Sequence, residues 1–256
     1  MAERELTGPV RSEDPPGRSR VGARHLDAPS GARRASADAA PDKARFWNRI
    51  ARKYARDAIA DLAGYEATLR RVLGLLSHEH SVLELGCGTG ATALRLAPAT
   101  RKLLATDVSA EMIAIAREKL NALPLPMPQL RFAVADADAD AGAPMGDGAT
   151  YDVVLALNLL HLVTDLDRAL AGAMQALRPG GLLISKTACL SEMNPLIPCL
   201  ALPLMRAIGK APHVLCFDAD ALRSAIARQG MDIVSVERHG TRGKDFRVFI
   251  VARKPA

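Results

Sequence analysis

The stretch Val82-Leu83-Glu84-Leu85-Gly86-Cys87-Gly88-Thr89-Gly90-Ala91 decides how the rest of the chain is read. Val82, Leu83 and Leu85 have the character of a buried parallel strand, with Glu84 near its C-terminal end. Three glycines follow at alternate positions, Gly86, Gly88 and Gly90. Glycine tolerates positive φ and lets a ligand approach the main chain with no Cβ in the way. Residues 91–96 then read as the start of a helix. A strand, a glycine turn and a helix N-terminus together make a nucleotide-type cradle. Glu84 narrows the ligand, because a carboxylate there repels a pyrophosphate but suits an ammonium group.

Outward from this stretch the elements alternate. Residues 102–106 form a hydrophobic strand ending in Asp107, followed by Val108, Ser109 and a helix from Ala110. Asp107 lies about twenty residues past the glycines, where an acid can accept hydrogen bonds from ribose hydroxyls. Residues 130–135 read as a third strand, ending in Asp136 and Ala137. A nearly all-apolar strand over 151–157 runs into Asn158, Leu159, Leu160 and His161. A helix over 166–177, closed by Arg178, Pro179, Gly180 and Gly181, leads to a fifth strand over 182–186. Two further strands, 232–237 and 246–252, follow a helix near Ala219. Alternation of this kind argues for a parallel sheet covered by helices on both faces.

The pattern Glu84-x-Gly86-x-Gly88-x-Gly90, with these elements arriving in order, resembles the class I S-adenosylmethionine-dependent methyltransferases over roughly residues 46–254. The broad group that includes ubiquinone and menaquinone methyltransferases is the most similar part of that family, although its quinone-specific segments are not recognisable here. The resemblance implies a Rossmann-like α/β fold: a seven-stranded mixed sheet of order 3-2-1-4-5-7-6, last strand antiparallel. It also implies S-adenosylmethionine as cofactor and a small-molecule acceptor. By the same resemblance Glu84 sits near the methionine ammonium, while Gly86, Cys87, Gly88 and Gly90 line the methionyl and ribose portion. Asp107 takes the ribose hydroxyls, Val108 and Met112 lie against the adenine, and Asp136 and Ala137 meet its amino edge. Asn158 and Leu159 close the site near the sulfonium, and Tyr54 reaches the methionine carboxylate or the acceptor. Asp138 competes with Asp136, since the repeat Asp136-Ala137-Asp138 leaves the register open by two residues. Val108, Met112 and Tyr54 are equally readable as core or packing residues.

Methyl transfer from a sulfonium is largely a matter of in-line orientation and exclusion of water. Where the acceptor must lose a proton, His161 is the candidate base, at the C-terminal edge of the sheet; packing beneath the cofactor is its alternative. Two other classes fit the glycines. Gly86, Gly88 and Ala91 satisfy the relaxed dinucleotide fingerprint, but no Tyr-x-x-x-Lys pair accompanies them, so an NAD(P)-dependent oxidoreductase is the weaker reading. A non-catalytic S-adenosylmethionine-binding protein would keep the same cradle.

Composition sets the frame. The chain has 256 residues, 49% apolar and 24% charged, with a formal charge of +6, enough for one α/β domain plus extensions. The arginines are scattered among acids with little aromatic interleaving, so the excess of charge reads as a mildly basic surface and not as a nucleic-acid footprint. The four cysteines have no metal or CxxC spacing, which suits reduced thiols in a cytoplasmic enzyme. No apolar run reaches a membrane span of ~18 residues, leaving only peripheral membrane contact open. Ser77-His78-Glu79-His80 lacks a third spaced ligand and reads as a polar loop, so no metal is expected.

Residues 1–41 are rich in Arg, Ala, Pro, Gly and Ser with almost no large apolar residue, the composition of a disordered tail. The methyltransferase domain is expected over 42–256. It opens with a helical prelude, residues 42–80, in which Phe46, Ile50 and Tyr54 recur at helical spacing beside Trp47, a stretch that by the resemblance folds over the cofactor, or else packs on the sheet through those three residues. An apolar, proline-broken insertion over 189–217 is expected to cap the active-site mouth and to favour a hydrophobic or aromatic acceptor; a structural or dimer-forming helix is the alternative for it.

Overall fold

A computed structural model describes residues 32–138, 150–193, 196, 201–207, 211–241, 243 and 245–256. Seven strands form one sheet: β1 (Ser81–Leu85), β2 (Lys102–Asp107), β3 (Leu130–Val134), β4 (Tyr151–Leu157), β5 (Leu177–Ala188), β6 (Asp232–Arg238) and β7 (Arg247–Arg253). Their order is β3-β2-β1-β4-β5-β7-β6. The first five strands run parallel, and β7 lies antiparallel between β5 and β6. The class I arrangement expected from the sequence is therefore the observed one.

Seven helices accompany the strands among the described residues: α1 (Ala32–Tyr54), α2 (Leu62–Leu73), α3 (Ala91–Leu96), α4 (Ala110–Asn121), α5 (Leu166–Ala176), α6 (Leu202–Ala207) and α7 (Ala219–Arg228). Asp61, Ser109, Asp165 and Asp218 cap α2, α4, α5 and α7, each side chain accepting from a backbone N–H of the first turn. Strand alternation sorts the core into two faces. Leu83, Leu85, Leu104, Val154 and Ala156 meet α5 and α7. Val82, Leu103, Ala105, Val153 and Leu155 meet α2, α3 and α4.

Three local expectations are revised. Helix α1 begins at Ala32, ten residues inside the stretch read as a tail; Ala35, Ala37, Ala39 and Ala40 carry strong helix propensity there. Residues 1–31 of that stretch lie outside the described residues. Helix α1 docks on α4 through Ala51 and Trp47, against Met112 and Ile115, and not on the sheet. The dock is completed by Ser109 Oγ donating to Asn48 Oδ1 at 2.6 Å and by a two-bond Arg52–Glu118 pair. Third, residues 178–181 belong to β5, where a register shift against β4 between Tyr151 and Val153 absorbs them. No described helix is long and apolar enough to cross a membrane.

Candidate active site

The C-terminal ends of β1, β2, β4 and β5 open into a cavity of about 570 Å³, within the usual range for small-molecule sites. The glycine turn forms its floor. Gly88 has φ +54°, and a Cβ there would meet only the Tyr54 ring edge at 3.8 Å, so the main chain faces open cavity. Its N–H donates to Asp107 Oδ2 at 2.9 Å, while Ser109 N donates to Asp107 Oδ1 at 2.9 Å. Asp107 thus pins the turn after β1 to the turn after β2 and keeps acceptor capacity toward the cavity. Burial is the main cause that raises its pKa.

Glu84 is 2% exposed, and its Oε2 has no hydrogen-bond partner among the described residues. Burial and then the Asp107 charge push its pKa up to about 8. A buried carboxyl with an open oxygen at a cavity wall is suited to a cation or donor arriving from the cavity. The cavity is also walled by Gly86, Cys87, Val108, Met112, Asp136 and Ala137. Asn158, the one described non-glycine residue at positive φ, +58°, lines it beside Leu159. Asn158 N donates to Lys186 O at 2.6 Å, which fastens the end of β4 to β5.

Asp136 lines the cavity and Asp138 does not. Asp138 turns away, taking Thr164 N at 2.7 Å and one arm of a Lys43 bridge. The Lys43 ammonium spans both acids, at 2.6 Å from Asp136 Oδ1 and 2.8 Å from Asp138 Oδ2. It reaches them from α1, so the prelude both walls the site and neutralises its acidic edge.

Two expected site residues are not on the cavity wall. A Cβ on Gly90 would lie 2.7 Å from Phe132 and 2.8 Å from Ala116; this glycine serves close packing of the turn against α4 and β3. His161 is also absent from the lining. Its Nδ1 is buried with no hydrogen-bond partner among the described residues, and burial, with the Arg247 charge, pushes its pKa down to about 4. The roof differs from expectation too. Among the described residues of 189–217 none lines the cavity; residues 57–61, Tyr65 and Thr68 from the prelude do. The remaining residues of the insertion lie outside the described ones.

Lys43, Lys186, Arg247, Tyr65 and Thr68 are cavity residues that sequence reasoning missed. Lys186 had a signal: like Glu84, it is a charge set against an apolar run, here Leu182-Leu183-Ile184. Lys43 and Thr68 had none, because their role depends on where the prelude helices dock.

A family model described as a methyltransferase domain matches residues 83–183, the segment that holds the glycine turn, Asp107, Asp136 and Asn158. The segment 83–183 is thus a methyltransferase domain, and the fold around it is that of the class I S-adenosylmethionine-dependent methyltransferases. Its cofactor is accordingly S-adenosylmethionine. The methyltransferase is 31% identical over 130 residues to the reducing polyketide synthase Preu2 of Preussia isomera, covering 48% of this chain and 6% of that protein. Over 154 residues it is 34% identical to the biotin biosynthesis bifunctional protein BioCD of Bordetella avium, covering 57% and 30%. The chain spans less than a third of the length of these curated relatives. The N-methyltransferase NodS of Bradyrhizobium japonicum, in complex with S-adenosyl-L-homocysteine, superposes with a TM-score of 0.61 at 17% identity, over 84% of this chain and all of NodS, a likeness of fold.

Proposed function

We propose that this methyltransferase transfers the cofactor methyl to a small, predominantly apolar or aromatic acceptor seated between the prelude and the sheet. One observation carries the reading: a single cavity joins Asp107 and Asp136 at one end to a wall of Ile59, Tyr65, Leu157, Leu159 and Leu162 at the other. The names of two matching proteins, a polyketide synthase and a biotin biosynthesis protein, support a small-molecule acceptor.

S-adenosylmethionine supplies a methyl already activated on sulfur, so the protein's part is binding, orientation and exclusion of water. Asp107 would accept from the ribose hydroxyls with the oxygen lone pairs left over from Gly88 and Ser109. Asp136, held by Lys43, would accept from the adenine amino group, with Ala137 beside it and Val108 and Met112 against the ring. The main chain of Gly86, Cys87 and Gly88 would bed the methionyl portion, with Glu84 answering its ammonium. Tyr54 closes over Gly88 from above, and Asn158 and Leu159 hold the β4 end of the site. His161 is left outside the reaction, because a neutral, half-buried imidazole away from the wall does not face the acceptor; packing beneath the turn after β4 is its role in this reading.

The test is calorimetric titration with S-adenosylhomocysteine, with NADH in parallel. Saturable binding of the thioether alone is expected, whereas nicotinamide binding would sink the reading. Glu84 adds a sharper readout. With its pKa near 8 the carboxyl is protonated at neutral pH in the free protein, and an arriving ammonium favours the charged form. Binding at pH 7 should therefore release a proton, seen as a dependence of the heat on buffer ionisation enthalpy, and Glu84→Gln should abolish it. The same group has a stability signature. Its folded pKa lies above the ordinary 4.5, so its contribution to stability is intact below that value and is lost as pH rises from 4.5 toward 8. The melting temperature of the cofactor-free protein should fall more steeply across that window in wild type than in Glu84→Gln.

A further inference from the structure

The sheet places two further cations on the cavity side that carries Glu84. In the parallel ladder Glu84 pairs with Leu155, Leu155 with Ile184 and Leu157 with Lys186, which puts Lys186 on the same pleat face as Glu84. Lys186 pairs with Phe249 across the antiparallel β5–β7 ladder, and Arg247 lies two residues before Phe249, again on that face. Both side chains line the cavity.

Lys186 is 5% exposed. Its ammonium donates to Thr68 Oγ1 at 2.7 Å, and no carboxylate among the described residues comes within ion-pair distance of it. The two acids that bear on it electrostatically, Asp61 and Asp245, spend their oxygens elsewhere. Asp61 receives Gly64 N, Thr241 N and Thr241 Oγ1; Asp245 receives Gly240 N and Arg247 N and stands 4.0 Å from Arg247 Nε, a loose ion pair that makes Arg247 the weaker of the two cations. An ammonium has three donors. A buried charge kept without a direct counter-ion is costly unless something supplies one, and here the open side of the charge is the cavity.

From this geometry we infer that Lys186 and Arg247 form an anion subsite that receives a carboxylate on the acceptor, with the apolar body of the acceptor lying along Leu157, Leu159 and Leu162. An ammonium and a guanidinium lining one cavity from the same face of the sheet offer donors to both oxygens of a carboxylate. Burial lowers the Lys186 pKa in the free protein, and an arriving carboxylate restores the charged form. The subsite deepens, and rests on, the cofactor reading proposed above.

The protein loaded with S-adenosylhomocysteine is titrated calorimetrically with octanoate and with octanamide, its uncharged match. Octanoate should bind at least ten-fold more tightly than octanamide. Lys186→Met should weaken octanoate by about ten- to hundred-fold, the usual loss for a hydrogen bond to a charged group, and leave octanamide and the thioether unchanged. Arg247→Gln, at a partly exposed strand end, should give a smaller loss of the same kind and serves if Lys186→Met does not fold. Thioether binding without any preference for the carboxylate, or a preference that survives in both variants, overturns the subsite alone. Failure of the thioether to bind wild type overturns the cofactor reading and the subsite with it.

Discussion

Asp107→Ala is expected to bind S-adenosylhomocysteine at least a hundred-fold more weakly than wild type, with a smaller loss of folding stability. The two halves of that expectation have one cause. In the free protein burial raises the Asp107 pKa, so desolvation offsets part of what its hydrogen bonds to Gly88 and Ser109 contribute to the fold. Its loss removes the acceptor for two ribose hydroxyls, each a hydrogen bond to a charged group worth about 1.5–3 kcal/mol. It also frees Gly88 N and Ser109 N, which loosens the two turns that shape the floor. Asp107→Asn keeps an oxygen and should fall between the two. Titration calorimetry beside urea unfolding separates the halves, and binding within ten-fold of wild type would remove Asp107 from the ribose position. Because Asp107 also helps to raise the Glu84 pKa, the proton released on binding should shrink in Asp107→Ala.

The largest stability effect is expected at Gly90. Alanine there must hold φ near +75° and place a methyl within 2.8 Å of both Phe132 and Ala116. The left-handed backbone costs about 1–2 kcal/mol, and forcing a methyl into a packed core costs about 1–3 kcal/mol more. Gly90→Ala should therefore lose about 2–5 kcal/mol in urea unfolding. Gly180→Ala, at φ +76° with no neighbour within 4 Å of its Cβ, isolates the backbone part and should lose only the smaller share. Equal losses at the two positions would show that close packing on Phe132 is not what the third glycine of the turn is for.

The two glycines show how much of the site was legible in the sequence. Alternate glycines after a buried strand indicate a turn that side chains cannot make, and that much is local. Which glycine opens on a ligand and which on a neighbouring helix depends on what packs against each, and spacing carries no such information. Gly88 faces the cavity and Gly90 faces Phe132 for that reason. The acids divide similarly. Asp107 and Asp136 end strands whose register follows from hydrophobic patterning, so their places were readable. The choice of Asp136 over Asp138 was not, since it turns on Thr164 N, twenty-six residues further along the chain, drawing Asp138 aside while Lys43 of α1 holds both acids.

His161 and the roof show a related limit of the sequence. Position after a strand end brings a residue near the switch point of the sheet but leaves open whether its side chain points into the cavity or beneath the turn. Apolar composition over 189–217 indicated burial against something, yet among the described residues the wall opposite the sheet comes from the prelude.

By itself, then, the sequence determined the seven-stranded order, the glycine turn, and the acids that end β2 and β3, because these follow from strand periodicity, from glycine's freedom at positive φ and from chain order. Only the tertiary structure decided that Lys43 bridges Asp136 and Asp138, that Glu84, Lys186 and Arg247 share one face of the sheet, and that His161 stands off the cavity wall. Those outcomes depend on inter-strand register and on how α1 and α2 dock, contacts between residues far apart in the chain that no local pattern records.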